Sequence, residues 1–360
     1  MHVYFSGIGG TGIGPLAMVA KQAGYEVSGS DKQDSLYIKY LRNHGINDIH
    51  ISQSYEQIAA VHNKKPIDWF VYSSALPMEN PDAPELEFCN EQGIKISRRD
   101  ELLNQILEDK KLKLIAVAGT HGKTTTTAMI VWLFKQLKIP VSYILPAKNS
   151  FGDMGEFDQA SDYFIYEADE FDRNFLSFEP FVSIISGVSW DHQDIYPTRE
   201  SYQEAFREFI KQSEWLEIWQ EDADYLKLEP TDHHAVMDSA DPLIGQIKLK
   251  GRYNRLDAYL AVKAVRQLTQ KPLEEIINKI NKFPGLSRRM EQVIPKLYTD
   301  YAHTVDKIRG AMSVATEMAA DSGQPLIVVY EGLHNRRQHY IMNDYKDVFS
   351  GAAQVYWVPS

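Results

Sequence analysis

Lys123 lies in the run Gly119-Thr120-His121-Gly122-Lys123-Thr124-Thr125, between an apolar strand-like segment (Leu114 to Ala118) and a helical pattern from Thr126 to Leu137. Glycines at such a junction expose backbone N–H groups at a helix N-terminus, where anionic phosphate is favoured. A lysine there reaches terminal phosphates, and the Thr124 or Thr125 hydroxyl can ligate Mg²⁺. The strict GxxxxGK[ST] pattern is not met, because Val117 holds the first glycine position. An ordinary strand-turn-helix junction is the competing reading, but Gly-Lys-Thr-Thr is a poor junction by propensity alone. A phosphate loop calls for an acidic Mg²⁺ partner at a nearby strand end. The strand-like run Tyr163 to Glu167 supplies one, emptying into Glu167, Asp169 and Glu170. Such a cluster is costly without a cation among it; a solvated acidic loop is the plainer alternative. The next strand, Val182 to Gly187, leads into Asp191, His192 and Asp194, again at the edge where parallel sheets place their active sites.

A second glycine turn opens the chain. The strand His2 to Ser6 runs into Gly7-Ile8-Gly9-Gly10-Thr11-Gly12, then a helix, then a strand from Tyr25 to Ser30 ending at Asp31. Glycines spaced GxGxxG with an acidic residue about twenty positions on form a dinucleotide fingerprint. Alone it would argue for NAD, with Asp31 on a ribose hydroxyl. The alternatives are the diphosphate of another nucleotide, such as UDP, or glycines that merely let helix and strand approach. A nicotinamide enzyme has no reason to carry a phosphate loop as well, so the pair is more specific than either turn.

These sites need elements to hold them. Over 360 residues the chain has room for two or three domains. Strand and helix signals alternate from Met1 to about Lys111, with a strand at Trp69 to Ser74, a helix near Pro84 to Gln92 and a strand at Ile94 to Ile96. That alternation implies a parallel, helix-flanked sheet. The charged run Glu108 to Lys111 marks a boundary, and a second domain carries the phosphate loop until about Pro284-Gly285. A third unit reads strand (Leu297 to Tyr301), helix (Val305 to Ala319), strand (Leu326 to Glu331), helix (Asp344 to Phe349) and strand (Val355 to Val358).

Hydrophobic content of 44%, charged content of 24% and a net charge of −11 without a basic block describe a globular protein with no nucleic-acid partner. A single cysteine, Cys89, excludes an internal disulfide and fits a reducing cytoplasm. No apolar run is long enough to span a membrane, and no signal-peptide pattern follows Met1.

GTHGKTTT, EADE and the later D-H-x-D resemble the ATP-dependent Mur ligases, on the branch that adds L-alanine to UDP-N-acetylmuramate in peptidoglycan synthesis. GIGGTGIG…VSGSD is similar to that branch's UDP-sugar domain. Gly251 to Ala258 resembles the family's G-x-H-N-x-x-N-A segment, Phe283 to Arg289 its F-x-G-x-x-R-R, and Thr299 to His303 its D-D-Y-x-H. The resemblance spans essentially the whole chain. It implies an α/β, three-domain architecture. An N-terminal Rossmann-like UDP-binding domain (1–111) would precede a central P-loop ATPase domain (112–295) and a shortened C-terminal Rossmann-like domain (296–360). It implies a cytoplasmic enzyme, monomeric or weakly dimeric, with UDP-N-acetylmuramate and L-alanine as substrates and ATP and Mg²⁺ as cofactors. ATP would phosphorylate the lactyl carboxylate, and the amine would attack the acyl phosphate.

Carried over by position, Gly119 to Thr125 hold the ATP phosphates, with Lys123 and Thr124 on the β/γ-phosphates and one Mg²⁺. Glu167 and His192 hold a second Mg²⁺, Asn254 the adenine, Asp300 the ribose and Arg288 the migrating phosphoryl. Gly7, Gly9, Gly10, Thr11, Gly12, Asp31 and Ser73 form the UDP-sugar site. The chain departs from the pattern at Tyr253 (family His), Asp257 (family Asn) and Thr304-Val305 (family His-Pro), the last touching the amino-acid pocket. If the chain ends at Ser360, the third unit is expected to lack strands and the protein to ligate slowly or not at all. The rival readings are a recycling ligase that attaches an intact tripeptide to the same sugar, and a UDP-sugar/ATP-binding protein with little ligase activity. The Phe175 to Pro180 segment looks closer to the alanine branch.

Overall fold

The apolar run at the N-terminus forms β1 (His2–Ser6), buried along its whole length as expected of a central parallel strand. The computed structural model describes residues 1–73, 76, 80, 82–332 and 345–358. Two units are distinguished within it. The first comprises Met1–Leu114, Pro140–Ala147 and Asp153–Tyr166, and the second Ile115–Ile139, Lys148–Gly152 and Glu167–Ser360.

In the first unit, β1 lies in a five-stranded parallel sheet with β2 (Glu26–Ser30), β3 (Ile49–His50), β4 (Trp69–Tyr72) and β5 (Lys95–Arg98). The order is β3-β2-β1-β4-β5, so the direction of winding reverses at β1 and the turn after Ser6 opens at the switch point. The connecting helices are α1 (Gly14–Gln22), α2 (Leu36–Asn43), α3 (Tyr55–Lys64), α4 (Pro84–Gln92) and α5 (Arg99–Lys110). Ser35 and Ser54 cap α2 and α3, accepting from Ile38 N and Gln57 N. Tyr4, Ile58, Val61, Phe70, Phe88 and the free Cys89 pack as one core. Truncating Phe70 to alanine there would cost about 3–5 kcal/mol. Strand β6 (Lys113–Ala118) begins at the end of this unit. β7 (Ser142–Ile144) pairs antiparallel with β8 (Gly155–Glu156) and parallel with β9 (Tyr163–Glu167).

In the second unit, β6 continues into a parallel array with β10 (Val182–Ile185), β11 (Trp215–Trp219) and β12 (His234–Met237), in the order β12-β11-β10-β6. Its helices are α6 (Lys123–Gln136), α7 (Arg199–Lys211), α8 (Gln220–Leu226), α9 (Arg252–Thr269), α10 (Leu273–Ile280) and α11 (Val305–Ser322). α9 packs on α6, α10 and α11.

The third unit read from the sequence is only partly present in the form expected. Its first strand, β14 (Leu297–Thr299), pairs antiparallel with β13 (Glu291–Ile294) in a hairpin. Pro295-Lys296 turn the chain there, with Lys296 at φ +67°. The two-residue connection makes β13 the neighbour with which β14 pairs. β15 (Ile327–Glu331) and β16 (Gln354–Val358) pair parallel with each other. The helix expected from Asp344 to Phe349 is a 3₁₀ and turn segment from Tyr345, and Asp344 lies outside the described residues, as do Ser74 and Ser360.

Candidate active site

The phosphate loop is built by two close approaches. Gly119 has φ +139°, and a Cβ there would stand 2.7 Å from Ser186 Oγ and 2.8 Å from Gly187 O. Gly122, at φ +76°, caps α6, and a Cβ on it would lie 2.5 Å from Asp257 Oδ1. Neither position admits a side chain. Thr120 fixes the loop to the segment that follows β10, its N donating to Gly187 O (2.7 Å) and its Oγ1 to Ser189 O (2.8 Å). Val117 is buried strand backbone, its carbonyl accepting from Ala168 N at 2.9 Å.

Lys123 points back across this loop. Its Nζ donates to Gly119 O at 2.7 Å and to Glu170 Oε2 at 2.5 Å, with Asp169 at 3.6 Å. Burial opposes its charge, but Glu170, Asp169 and Glu167 outweigh burial and raise it above the ordinary lysine value. Glu170 is 1% exposed. Burial alone would push its carboxyl up; Lys123, then His192, overcome that and hold it at about 2. His192 Nε2 stands 3.4 Å from the other oxygen, Glu170 Oε1. So the structure brings Lys123 and His192 together on Glu170. Glu167, at the end of β9, is pushed up by burial against the pull of Lys123 and Thr124, and its buried Oε2 has no partner. The His192 Nδ1 is likewise buried and unpartnered.

These groups line a cleft of about 2160 Å³ within the second unit. Thr120 to Thr125, Glu167, His192, Asn254 and Asp300 all contribute to its wall. Asn254, in the first turn of α9, donates to Lys250 O at 2.9 Å, and half-exposed Tyr253 stands beside it. Asp300 accepts from Met290 N at 2.9 Å. Gly119 shapes the loop without lining the cleft. Arg288 also stands apart from the lining; its guanidinium lies 4.7 Å from the Tyr301 ring centroid, and it is Arg289 that lines the cleft.

Several contacts here join motif residues to residues outside any motif. His121 Nε2 contacts Ser189 Oγ (2.6 Å) and Asp306 Oδ2 (3.2 Å). Arg255 and Glu317 form a bidentate pair, both contacts 2.9 Å, and Glu317 also accepts from Gly251 N, joining α11 to the start of α9. Only the helical phase of α11 could have signalled these partners.

In the first unit, the glycine turn is held by Gly7 N and Ile8 N donating to Ser30 O (2.9 and 3.0 Å). Asp31 Oδ2 accepts from Gly9 N at 2.8 Å, so this carboxylate orders the turn itself. Gly10 and Thr11 are exposed, and Ser73 follows β4 half-buried. A Cβ on Gly12 would stand 2.3 Å from Arg99 Nη1, which places a guanidinium at the turn that the sequence pattern did not indicate.

Comparison with known proteins bears on the family and the fold. Residues 2–111 match the model of the Mur ligase family catalytic domain and residues 117–234 that of the Mur ligase middle domain. A UDP-N-acetylmuramate–L-alanine ligase from Desulforamulus reducens is 30% identical, over 97% of this chain and 80% of that protein. One from Fusobacterium nucleatum is 28% identical, over 99% of this chain and 82% of that protein. Among solved structures, the UDP-N-acetylmuramate–alanine ligase of Thermotoga maritima superposes with a TM-score of 0.76 at 22% identity, covering 100% of this chain and 91% of its own. A murein peptide ligase of Psychrobacter arcticus gives 0.65 at 20% identity, covering 99% and 84%. With likeness running through nearly the whole length, and the glycine turn, the strand-end carboxylates and the first turn of α9 on one cleft, the chain belongs to the Mur ligase family.

Proposed function

We propose that this chain joins L-alanine to the lactyl carboxylate of UDP-N-acetylmuramate, using ATP and passing through an acyl phosphate. The observation that carries the reading is one cleft lined by Lys123, Glu167, Asn254 and Asp300, a set suited to a nucleoside triphosphate. A carboxylate repels nucleophiles and has no leaving group, so it must be phosphorylated first. Two anions meet in that step, which demands fixed cations. Lys123 supplies one, rigidly aimed by Gly119 O and Glu170. Asn254 and Tyr253 would hold the adenine and Asp300 the ribose, while Gly7, Gly9, Gly10, Thr11, Gly12, Asp31 and Ser73 would hold the UDP-sugar. The domain limits proposed are 1–111, 112–295 and 296–360.

The residues fit Mg²⁺. Glu167 offers a buried oxygen without a partner, His192 an unpartnered ring nitrogen, and Thr124 a hydroxyl beside Glu167. Among the described residues no three His, Cys, Asp or Glu side chains cluster as a metal cage. Mg²⁺ binds through one or two carboxylates together with substrate phosphates, and Glu167 would be such a carboxylate. Bound there, the ion would neutralise phosphate charge during transfer.

The test is a product assay with ATP, UDP-N-acetylmuramate and one amine at a time, following ADP, phosphate and the new amide. Amide with L-alanine supports the reading. Amide only with the tripeptide would assign the recycling reaction, and nucleotide binding without any amide would leave a binding protein.

A further inference from the structure

Helical spacing sets which face of α11 meets the cleft. Val305, Ile308 and Met312 are buried with Tyr330 and Val348. The stripe Lys307, Gly310, Ala311, Val314 and Met318, at the opposite phase, lines the cleft. Lys307 is the cation of that stripe, at its phosphate-loop end; Arg309, at another phase of the helix, also lines the cleft but pairs with Asp306 at 3.2 Å. Asp306, which precedes Lys307, contacts His121 of the loop at 3.2 Å and so fixes the start of the helix there.

The surroundings of Lys307 are unbalanced. Lys123 and Arg289 repel it, while Asp191 and Glu170 attract it. Both acids are already engaged: Glu170 with Lys123 and His192, and Asp191 Oδ1 with His192 N at 2.7 Å. Among the described residues the Lys307 ammonium makes no hydrogen bond and no ion pair. Burial, then Lys123, lower it below the ordinary lysine value. Lys123, Arg289 and Lys307 thus converge on one end of the cleft, an arrangement that a multiply charged anion would relieve.

We propose that Lys307 binds the phosphoryl group in transfer, donating hydrogen bonds to its oxygens from the start of α11. As the bond from the γ-phosphorus to the ADP oxygen breaks and the bond to the acceptor carboxylate oxygen forms, the electron pair leaves with ADP. Lys307 keeps its protons throughout. The inference deepens the ligase reading, but its test needs no acceptor.

The Mg²⁺ complexes of ADP and of a non-hydrolysable ATP analogue are titrated by calorimetry into the wild type, Lys307→Gln and Lys307→Arg. The expected result is roughly tenfold or more weaker analogue binding by Lys307→Gln, with ADP changed less than about twofold, the scale of one charge-assisted hydrogen bond. Lys307→Arg should recover most of the analogue affinity. Equal weakening of both nucleotides, or none, overturns the proposal. Should Lys307→Gln fail to fold, amine acetylation of the wild type read by mass spectrometry decides: protection of Lys307 by the analogue but not by ADP supports it, and equal labelling overturns it. An assay in which Lys307→Gln raises only the KM for the amine would assign the lysine to the amino acid and also overturn it. Absence of amide from the wild type would bear on the ligase reading alone.

Discussion

Lys123 and Glu170 form a buried ion pair at 2.5 Å, and the same carboxylate stands 3.4 Å from His192. One anion therefore orients both the phosphate-loop lysine and the strand-end histidine. Glu167, three residues earlier, keeps an oxygen free of partners. In the proposed reading the two glutamates divide the work: Glu170 holds Lys123 and His192, and Glu167 would take the cation brought with the nucleotide.

This division makes a pH prediction. Glu170 is held at about 2 against an ordinary value of 4.5, so the folded state binds its proton less readily than the unfolded chain. Its contribution to stability is complete above pH 4.5 and is lost as pH falls towards about 2. Glu170→Gln should lower the Tm at neutral pH and narrow its gap to the wild type across that acid window. Thermal melts of both proteins from pH 7 to pH 2 check it; a constant gap would contradict the pairing.

The two nucleotide sites should fail separately. Lys123→Ala is expected to abolish ATP-dependent turnover while leaving UDP-sugar affinity within a few fold. Gly12→Ala should weaken UDP-sugar affinity while leaving ATP affinity within a few fold, since its Cβ would displace Arg99 Nη1, 2.3 Å away, from the turn. Calorimetry with ATP, the UDP-sugar and NAD reads this, and tight NAD binding by the wild type would reverse the assignment of the turn.

Glu167→Gln and His192→Ala should each raise the Mg²⁺ needed for half-maximal rate and slow turnover by roughly a hundredfold. A Mg²⁺ titration unchanged from wild type in both variants would remove them from the metal site.

Much of this was legible in the sequence. Gly7 to Gly12 and Gly119 to Thr125 stood out because glycine spacing next to an apolar strand is a local pattern, and the strands that carry them lie where expected. That Glu170 is the carboxylate that takes both Lys123 and His192 was not legible. It depends on how the chain leaves β9, with Asp172 and Arg173 at positive φ turning the backbone so that Glu170 is buried. Arg99, Asp306 and Lys307 act across long sequence separations, which no local pattern encodes. The hairpin of β13 and β14 was missed because an isolated strand of three residues does not announce its partner.

Asp257 stands where the family has asparagine, packed against Gly122. Burial pushes its carboxyl up from 3.8 to about 8, opposed only by the Thr126 hydroxyl. With the folded value raised, its stability contribution is intact below pH 3.8 and lost as pH rises to about 8. Asp257→Asn should therefore raise the Tm at pH 8 more than at pH 4. Equal shifts at both would mean the carboxyl is not held neutral.

The central claim is that the carboxylate is phosphorylated before the amide forms. UDP-N-acetylmuramate carrying heavy oxygen in its lactyl carboxylate, turned over with ATP and L-alanine, tests it through mass spectrometry of the released phosphate. The account predicts one labelled oxygen in each phosphate, with ADP as the other product. Unlabelled phosphate, or AMP and pyrophosphate in place of ADP and phosphate, would contradict it.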